Sequence, residues 1–455
     1  MTVADPLSAS AAPTAAPQSL FAPGRRAACI GAIALISMLA FESIAVATAM
    51  PAVAEALDGL PLYALAFGAT LATSVLGMTA AGQLCDKRGP YRAALYGLSF
   101  FLAGLLLAGF AASMPQLVAG RALQGLGSGV LGVTLYVGVG QVVPQALHPK
   151  LFAMFAGAWV VPGLVGPALA SFFVQWMGWR SVFLAVAAAV PVAAALMLPS
   201  LKRVGAGTGE VLRWGAMRWA LLASAGALTL HAASQQSGAQ STALFVGGLV
   251  AAGFAARLLL PRGTLVAARG LPTVILLRGL IAATFASAEA FLPLLLTQHF
   301  GWSLTQAGIA LSAGAVTWSI GSAVQARVQR PDTRRRLLTG GFSLAAAGLA
   351  VIMAPLLFTL PSLLVFVGWS LVGLGIGLSF PMLSVMLLKL SSPASQGSNT
   401  SALQLGDALT SSAALALAGL LFDPATRQVL PVLVLAFTLA AAAAAVSPRA
   451  QPVTS

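Results

Sequence analysis

Glu42 in "LISMLAFESIAVATAMP", Arg121 in "GRALQGLGSGVLG", Glu289 in "LLRGLIAATFASAEAFLPLLL" and Asp407 in "LQLGDALTSS" all sit inside or at the edge of long apolar runs. A charge at the centre of a membrane span costs about 2.5–3.5 kcal/mol on insertion scales, so such residues mark ion or substrate pathways by default. Burial disfavours the ionised form of a carboxylate, and a nearby guanidinium favours it. The two effects together can poise the group to take up and release a proton near neutral pH. The chemistry on offer is therefore exchange of a proton for a solute. Bond-making would need clustered His, Asp or Cys at an interface, but the 3 His are scattered and the 2 Cys, Cys29 and Cys85, have no metal-ligand spacing. No catalytic residue, no metal and no cofactor is expected, and the chain reads as not an enzyme. No Gly-rich phosphate loop precedes a Lys-Ser/Thr pair, so an ATP-driven engine is not expected either.

These residues must be held by membrane helices. Hydrophobic residues make up 59% of the 455 and charged ones only 7%, far from a soluble balance. The formal charge of +14 has the sign that nucleic acid attracts, but the Lys and Arg fall in short gaps between apolar runs, mostly alternate gaps, and no nucleic-acid partner is expected. With about 20 apolar residues per crossing, spans 1 to 6 fall near 27–53, 62–84, 93–112, 115–143, 151–174 and 181–199. Two linker spans fall near 219–236 and 241–260. Spans 7 to 12 fall near 274–298, 303–325, 336–358, 361–388, 397–422 and 428–446. The expected fold class is an all-α integral membrane protein of about fourteen spans. Its expected divisions are a disordered tail at 1–24, a six-helix half at 25–200, a loop with two linker helices at 201–270, a second six-helix half at 271–447 and a tail at 448–455. Basic residues from Arg25 and Arg26 to Lys389 and Arg449 fall on the side of the N-terminus, and only Arg180 and Arg427 on the other. By the positive-inside rule both termini are then cytoplasmic.

The chain also repeats. "GRALQGLGSGVLG" (120–132) matches "GWSLVGLGIGLSF" (368–380) with glycines in register, and "GQLCDKRG" (82–89) has a weaker echo in "GSAVQARV" (321–328). Parallel repeats of this kind are a transporter architecture with a site near mid-membrane between the halves.

Three motifs are more specific. In "GQLCDKRGPYR" (82–92) the residues Gly82, Leu84, Asp86, Lys87 and Gly89 fit the signature loop of the major facilitator superfamily, commonly G-x-L-x-D-[RK]-x-G-[RK]-[RK]. Pro90 and Tyr91 replace the last basic pair, with Arg88 and Arg92 close by. "RALQGLGSG" (121–129) resembles the family's span-4 motif, whose Arg is tied to proton coupling. "GAWVVPGLVGPALAS" (157–171) resembles the span-5 motif of drug:proton antiporters. Gly163, Gly166 and Pro167 fit it, Gly157 and Pro162 lie within it, and Ala170 and Ser171 stand where a Gly pair is usual. Generic small-residue packing would also give such a string.

The chain thus resembles the fourteen-span drug:proton antiporter branch of the superfamily, over about residues 25–446. The resemblance implies two rocking halves, a gating loop at Gly82–Arg92 that latches the outward-facing state, and a multi-pass place in a bacterial cytoplasmic (inner) membrane. It also implies proton-coupled efflux of small hydrophobic or cationic molecules, with protons and membrane lipids as the other partners and a monomer as the working unit. A lipid or metabolite exporter, or a proton-coupled importer, keeps the same fold. In the superfamily fold spans 1 and 4 line the cavity, and Glu42 and Arg121 stand at similar heights, so they pair either for proton coupling or as a buried structural ion pair. Glu289 is the rough counterpart of Glu42 in the second half. Asp407 is either a coupling group or a carboxylate bonded to nearby Ser and Thr hydroxyls. Phe41, Gln124, Trp159, Phe285, Phe291 and Trp369 are candidates for the substrate cavity, a packing or lipid-facing role for the aromatics remaining open. Arg278 reads as interfacial and snorkelling, His231 as a packed, hydrogen-bonded polar residue, and Glu55 and Asp58 as solvated.

Overall fold

A computed structural model describes residues 19–144, 147–205, 214–236, 238–328, 330–392 and 396–451. Most of the expected tail at 1–24, part of the connection at 201–270 and residues 452–455 lie outside the described residues. Lipid offers the backbone no hydrogen-bond partners, so apolar runs of this length close their N–H and C=O groups as helices. The helices are α1 (Arg26–Ala56), α2 (Tyr63–Gly109), α3 (Met114–Val142), α4 (His148–Met177), α5 (Arg180–Lys202), α6 (Trp214–Ala233) and α7 (Gly238–Leu259). They continue as α8 (Leu271–Leu294), α9 (Leu304–Arg327), α10 (Pro331–Leu357), α11 (Leu363–Leu390), α12 (Gln396–Leu421) and α13 (Leu430–Val446). Ser113 caps α3 and Ser303 caps α9, the latter in a reciprocal capping box with Gln306.

Among the described residues, 12 helical stretches are long and apolar enough to cross a membrane. The sequence reading of about fourteen differs at two places. Spans 2 and 3 are two helices, together labelled α2, that meet at a kink where Gly89 takes φ 77° ahead of Pro90, a backbone conformation that favours glycine, and they enter the 12 as one stretch. The stretch α6, which carries Arg218 and His231, is not among the 12.

Helices α1–α5 pack as one bundle and α8–α13 as another, with matching contacts. The pairs α1·α4, α1·α5 and α2·α3 recur as α8·α12, α8·α13 and α9·α11, with α10·α11 matching the second half of α2 on α3. The glycines shared by the repeat explain the likeness. A Cβ on Gly125 would run into the carbonyl of Thr70, and one on Gly373 into that of Gly314. Each lets a backbone approach its neighbour closely, as small residues do between membrane helices.

The ends of α1 and α8 line one cavity together with the α12–α13 turn, while the last turn of the chain meets the start of α8 through Gly270 N–H to Arg449 O, 2.9 Å. The starts of α1 and α8 and the end of α13 therefore share one side of the bundle, called here the terminal side; the other is the far side. The bundles meet along α2·α12 and α4·α9. Toward the far side, Tyr63 donates to Ala290 O at 2.8 Å, Ser171 to Leu304 O at 3.0 Å and Gln175 to Thr305 at 2.8 Å. Tyr63 also packs on Phe291 and Phe422, ring centroids 5.3 and 6.5 Å away. Tyr63→Phe keeps these ring contacts and removes one hydrogen bond between the bundles, at a cost of about 1 kcal/mol. The thermal midpoint of the purified protein should fall slightly, and an unchanged midpoint would show that the hydroxyl contributes nothing.

Helix α6 lies over the α2·α12 seam. Ser224 donates to Ala72 O at 2.6 Å, and the fully buried ring of His231 presses on Gly68, next to which Ser412 donates to Gly68 O at 3.3 Å. His231 is packed as expected. Among the described residues, however, neither ring nitrogen has a partner in good hydrogen-bond geometry.

Candidate functional site

The close approach of α3 to α2 sets Arg121. Its backbone carbonyl accepts from Thr70 at 3.1 Å, and its Nε donates to Ala66 O at 3.1 Å. From about 10 Å inside α3, at 1.5 Å per residue, the guanidinium reaches α1. There Nη1 donates to Glu42 Oε1 and, at 2.8 Å, to Gln124 Oε1. Glu42 lies about 24 Å along α1, so this is an ion pair deep in the bundle, and both partners are only 4% exposed. Gln124 is fully buried as a ligand of the arginine, and its Nε2 has no partner among the described residues.

A second ion pair joins α8 to α12, with Arg278 Nε 3.1 Å from Asp407 Oδ2. The same guanidinium donates to Ser384 Oγ at 2.6 Å and to Phe380 O at 3.3 Å, and lies 3.3 Å over the Phe380 ring. Arg278 therefore does not snorkel to an interface, because its counter-ion and a cation–π partner hold it inside the bundle. Asp407 takes that arginine as its partner, while Thr410 turns its hydroxyl to the backbone of Gly406. Asp407 Oδ1 is buried and without a hydrogen-bond partner among the described residues.

Glu289 differs from both. It is half-buried on α8, about 27 Å from the start of that helix, and has no ion pair or hydrogen bond among the described residues. The repeat explains its isolation. The residue of the second half in register with Arg121 is Trp369, so no cation stands where the first half keeps one. Trp369 is buried against Gly314 and stacks on Phe285, one turn before Glu289, with centroids 5.5 Å apart and planes at 19°. Phe285 meets Trp318 edge-on at 5.2 Å, and Trp318 meets Phe380 at 5.5 Å. A continuous aromatic row thus links the neighbourhood of Glu289 to Arg278. Phe380, Ser384 and Tyr63 were not singled out from the sequence. The repeat was the available signal for Phe380, which replaces Gly132.

The other candidates are dispersed. Phe41 packs near Gly166, and a Cβ on Gly163 would stand 3.2 Å from that of Ala315 across the α4·α9 contact. Pro162 and Pro167 lie within α4, where Gly157 has open space around it. Trp159 is 50% exposed on α4, outside the aromatic row, and Phe291 is buried in the far-side cluster with Tyr63. In the loop, Gly82 has open space around it and Gly89 makes the break in α2. Asp86, Lys87, Arg88 and Arg92 are exposed, and Arg88 donates to Tyr96 at 2.9 Å. Glu55 and Asp58, read as solvated, line the far-side cavity of about 350 Å³ opposite Arg427.

Solved structures share this architecture. A POT family transporter superposes with a TM-score of 0.68 at 15% identity, covering 92% of this chain and 96% of that one. A peptide transporter POT bound to sulfate gives 0.65 at 17%, covering 92% and 94%. At such identities the likeness is one of fold. A protein of Mycobacterium tuberculosis named as a probable multidrug-efflux transporter is 25% identical over 439 residues, 92% of each chain. Multidrug resistance protein 3 of Bacillus subtilis is 31% identical over 154 residues, which span 34% of this chain and 30% of that protein. The Major Facilitator Superfamily model matches residues 30–415 and 274–454, and with the repeated bundles and the span-4 arginine in place, the chain belongs to that superfamily.

Proposed function

We propose that the protein exports hydrophobic or cationic small molecules in exchange for protons. The observation that carries this reading is Glu289, a carboxylate within a membrane helix with no counter-ion among the described residues and an aromatic row beside it. A cationic solute and a proton can each neutralise such a group, but not together, so binding one displaces the other. Rings near a carboxylate favour organic cations. The Glu42–Arg121 pair is the second proton-handling element, and Arg278–Asp407 the third. The efflux names of the mycobacterial and Bacillus relatives support the direction of transport.

In this reading the terminal side is cytoplasmic and the membrane is the bacterial cytoplasmic one. The bundles at 25–200 and 271–447 rock about the site, the loop at Gly82–Arg92 latching them when the far side opens. Counting α2 as two crossings and α6 as one gives fourteen. A monomer suffices, since both halves are in one chain.

The test is transport by the purified protein in liposomes with an imposed pH gradient and an internal pH dye. Lipophilic cations should dissipate the gradient in wild type, and Glu289→Gln should slow this at least about tenfold. The substitution breaks no ion pair, so the variant should fold normally. A gradient indifferent to every cation, or a Glu289→Gln variant as fast as wild type, would overturn the reading.

A further inference from the structure

The echo of the gating loop in the second half has a different character from the original. Aligning "GQLCDKRG" with "GSAVQARV" sets Gln325 at the position of Asp86, so the terminal side of the second bundle loses a carboxylate. What stands there is a cavity of about 180 Å³ between the end of α9, the start of α10, the end of α11 and the last turn of the chain. Arg334, Arg335 and Lys389 line its mouth, and no carboxylate lines it among the described residues. None of the three has an ion-pair partner among the described residues. Arg334 is held in place by its Nε, which donates to Val328 O at 2.8 Å, leaving the rest of the guanidinium free to bind. Gln325 is 7% exposed, and its side-chain amide has no described hydrogen bond. Beneath the charges the wall turns apolar through Met382, Val385 and Met386, and Val385 is 39% exposed on the flank of α11.

A pocket with unpaired cations at a helix-end rim and apolar side chains below matches a molecule with a phosphate at one end and acyl chains at the other. Basic pockets between membrane helices on the cytoplasmic side bind anionic lipid head groups. We propose that this cavity is a specific site for one anionic phospholipid of the leaflet on the terminal side. Arg334, Arg335 and Lys389 meet the phosphate, the Gln325 amide donates to an ester or glycerol oxygen, and an acyl chain lies along Val385. Placing that leaflet in the cytoplasm rests on the orientation proposed above; the site itself does not.

The test uses the full chain, purified and stripped of lipid in detergent, and titrated with dioleoyl phosphatidylglycerol. Dioleoyl phosphatidylcholine and inorganic phosphate are titrated in parallel. The readouts are the thermal midpoint and the adduct retained in native mass spectrometry, neither of which depends on transport. Phosphatidylglycerol should raise the midpoint and leave one retained adduct. Arg335→Gln with Lys389→Gln, both exposed and hence harmless to folding, should weaken that binding about tenfold or more. Arg262→Gln, on the same side but outside the cavity, should not. Equal effects of phosphatidylcholine, undiminished binding by the double variant, or a response to inorganic phosphate as strong as to the lipid would each overturn the proposal.

Discussion

Arg121→Leu should lower the stability of the protein by about 3–5 kcal/mol, the usual cost of removing one member of a buried ion pair. The loss goes beyond one contact. Glu42, 4% exposed, would be left with no cation within reach, and Gln124 and Ala66 would each lose the donor that satisfies an oxygen. Glu42→Gln should destabilise in the same way, by stranding the guanidinium. The double variant, Glu42→Gln with Arg121→Leu, should be much closer to wild type than the sum of the two losses, because it buries no unpaired charge. Thermal or denaturant unfolding in detergent, run as a double-mutant cycle, measures this. Additive losses would mean that the two residues act independently, contrary to the geometry.

Gly125→Ala and Gly373→Ala should each cost about 1–3 kcal/mol, the range for forcing a methyl group into packed structure. The new methyl would meet the carbonyl of Thr70 in the first case and of Gly314 in the second, and backbone cannot turn aside as a side chain can. Gly132→Ala, in the same helix as Gly125 but with open space around it, should instead stabilise by about 0.5–1 kcal/mol, since glycine is the poorer helix former. The opposite signs, read from thermal midpoints, separate close helix packing from helix propensity. Equal effects at Gly125 and Gly132 would show that the α2–α3 approach is looser than the structure has it.

Those glycines also indicate what could be read from the sequence. Helix positions were legible because apolar runs of fixed length are forced by the bilayer, and the repeat was legible because close backbone approach tolerates no other residue. The partnership of Glu42 with Arg121 followed from their heights and the superfamily fold. Arg278 was misread because its depth along α8 fits an interface; what holds it inside is Asp407, more than a hundred positions later, a pairing that leaves no mark on local pattern. The grouping of aromatics failed similarly. Composition gave Trp159 and Trp369 equal standing, but one is half exposed on α4 while the other stacks on Phe285 in the second bundle. The division between spans 2 and 3 was legible because the charged stretch from Asp86 to Arg92 separates two apolar runs, and the helix breaks inside that stretch, at Gly89.

Each described ion pair lies wholly within one bundle: Glu42 with Arg121 in the first, Arg278 with Asp407 in the second. Tilting the bundles against each other therefore separates neither pair and drags no net charge from these residues through the electric field. Glu289 is the exception, a lone carboxylate riding with the second bundle. A displacement current on conformational cycling should then report the occupancy of that one residue, falling toward silence when a proton or a monovalent cation sits on it.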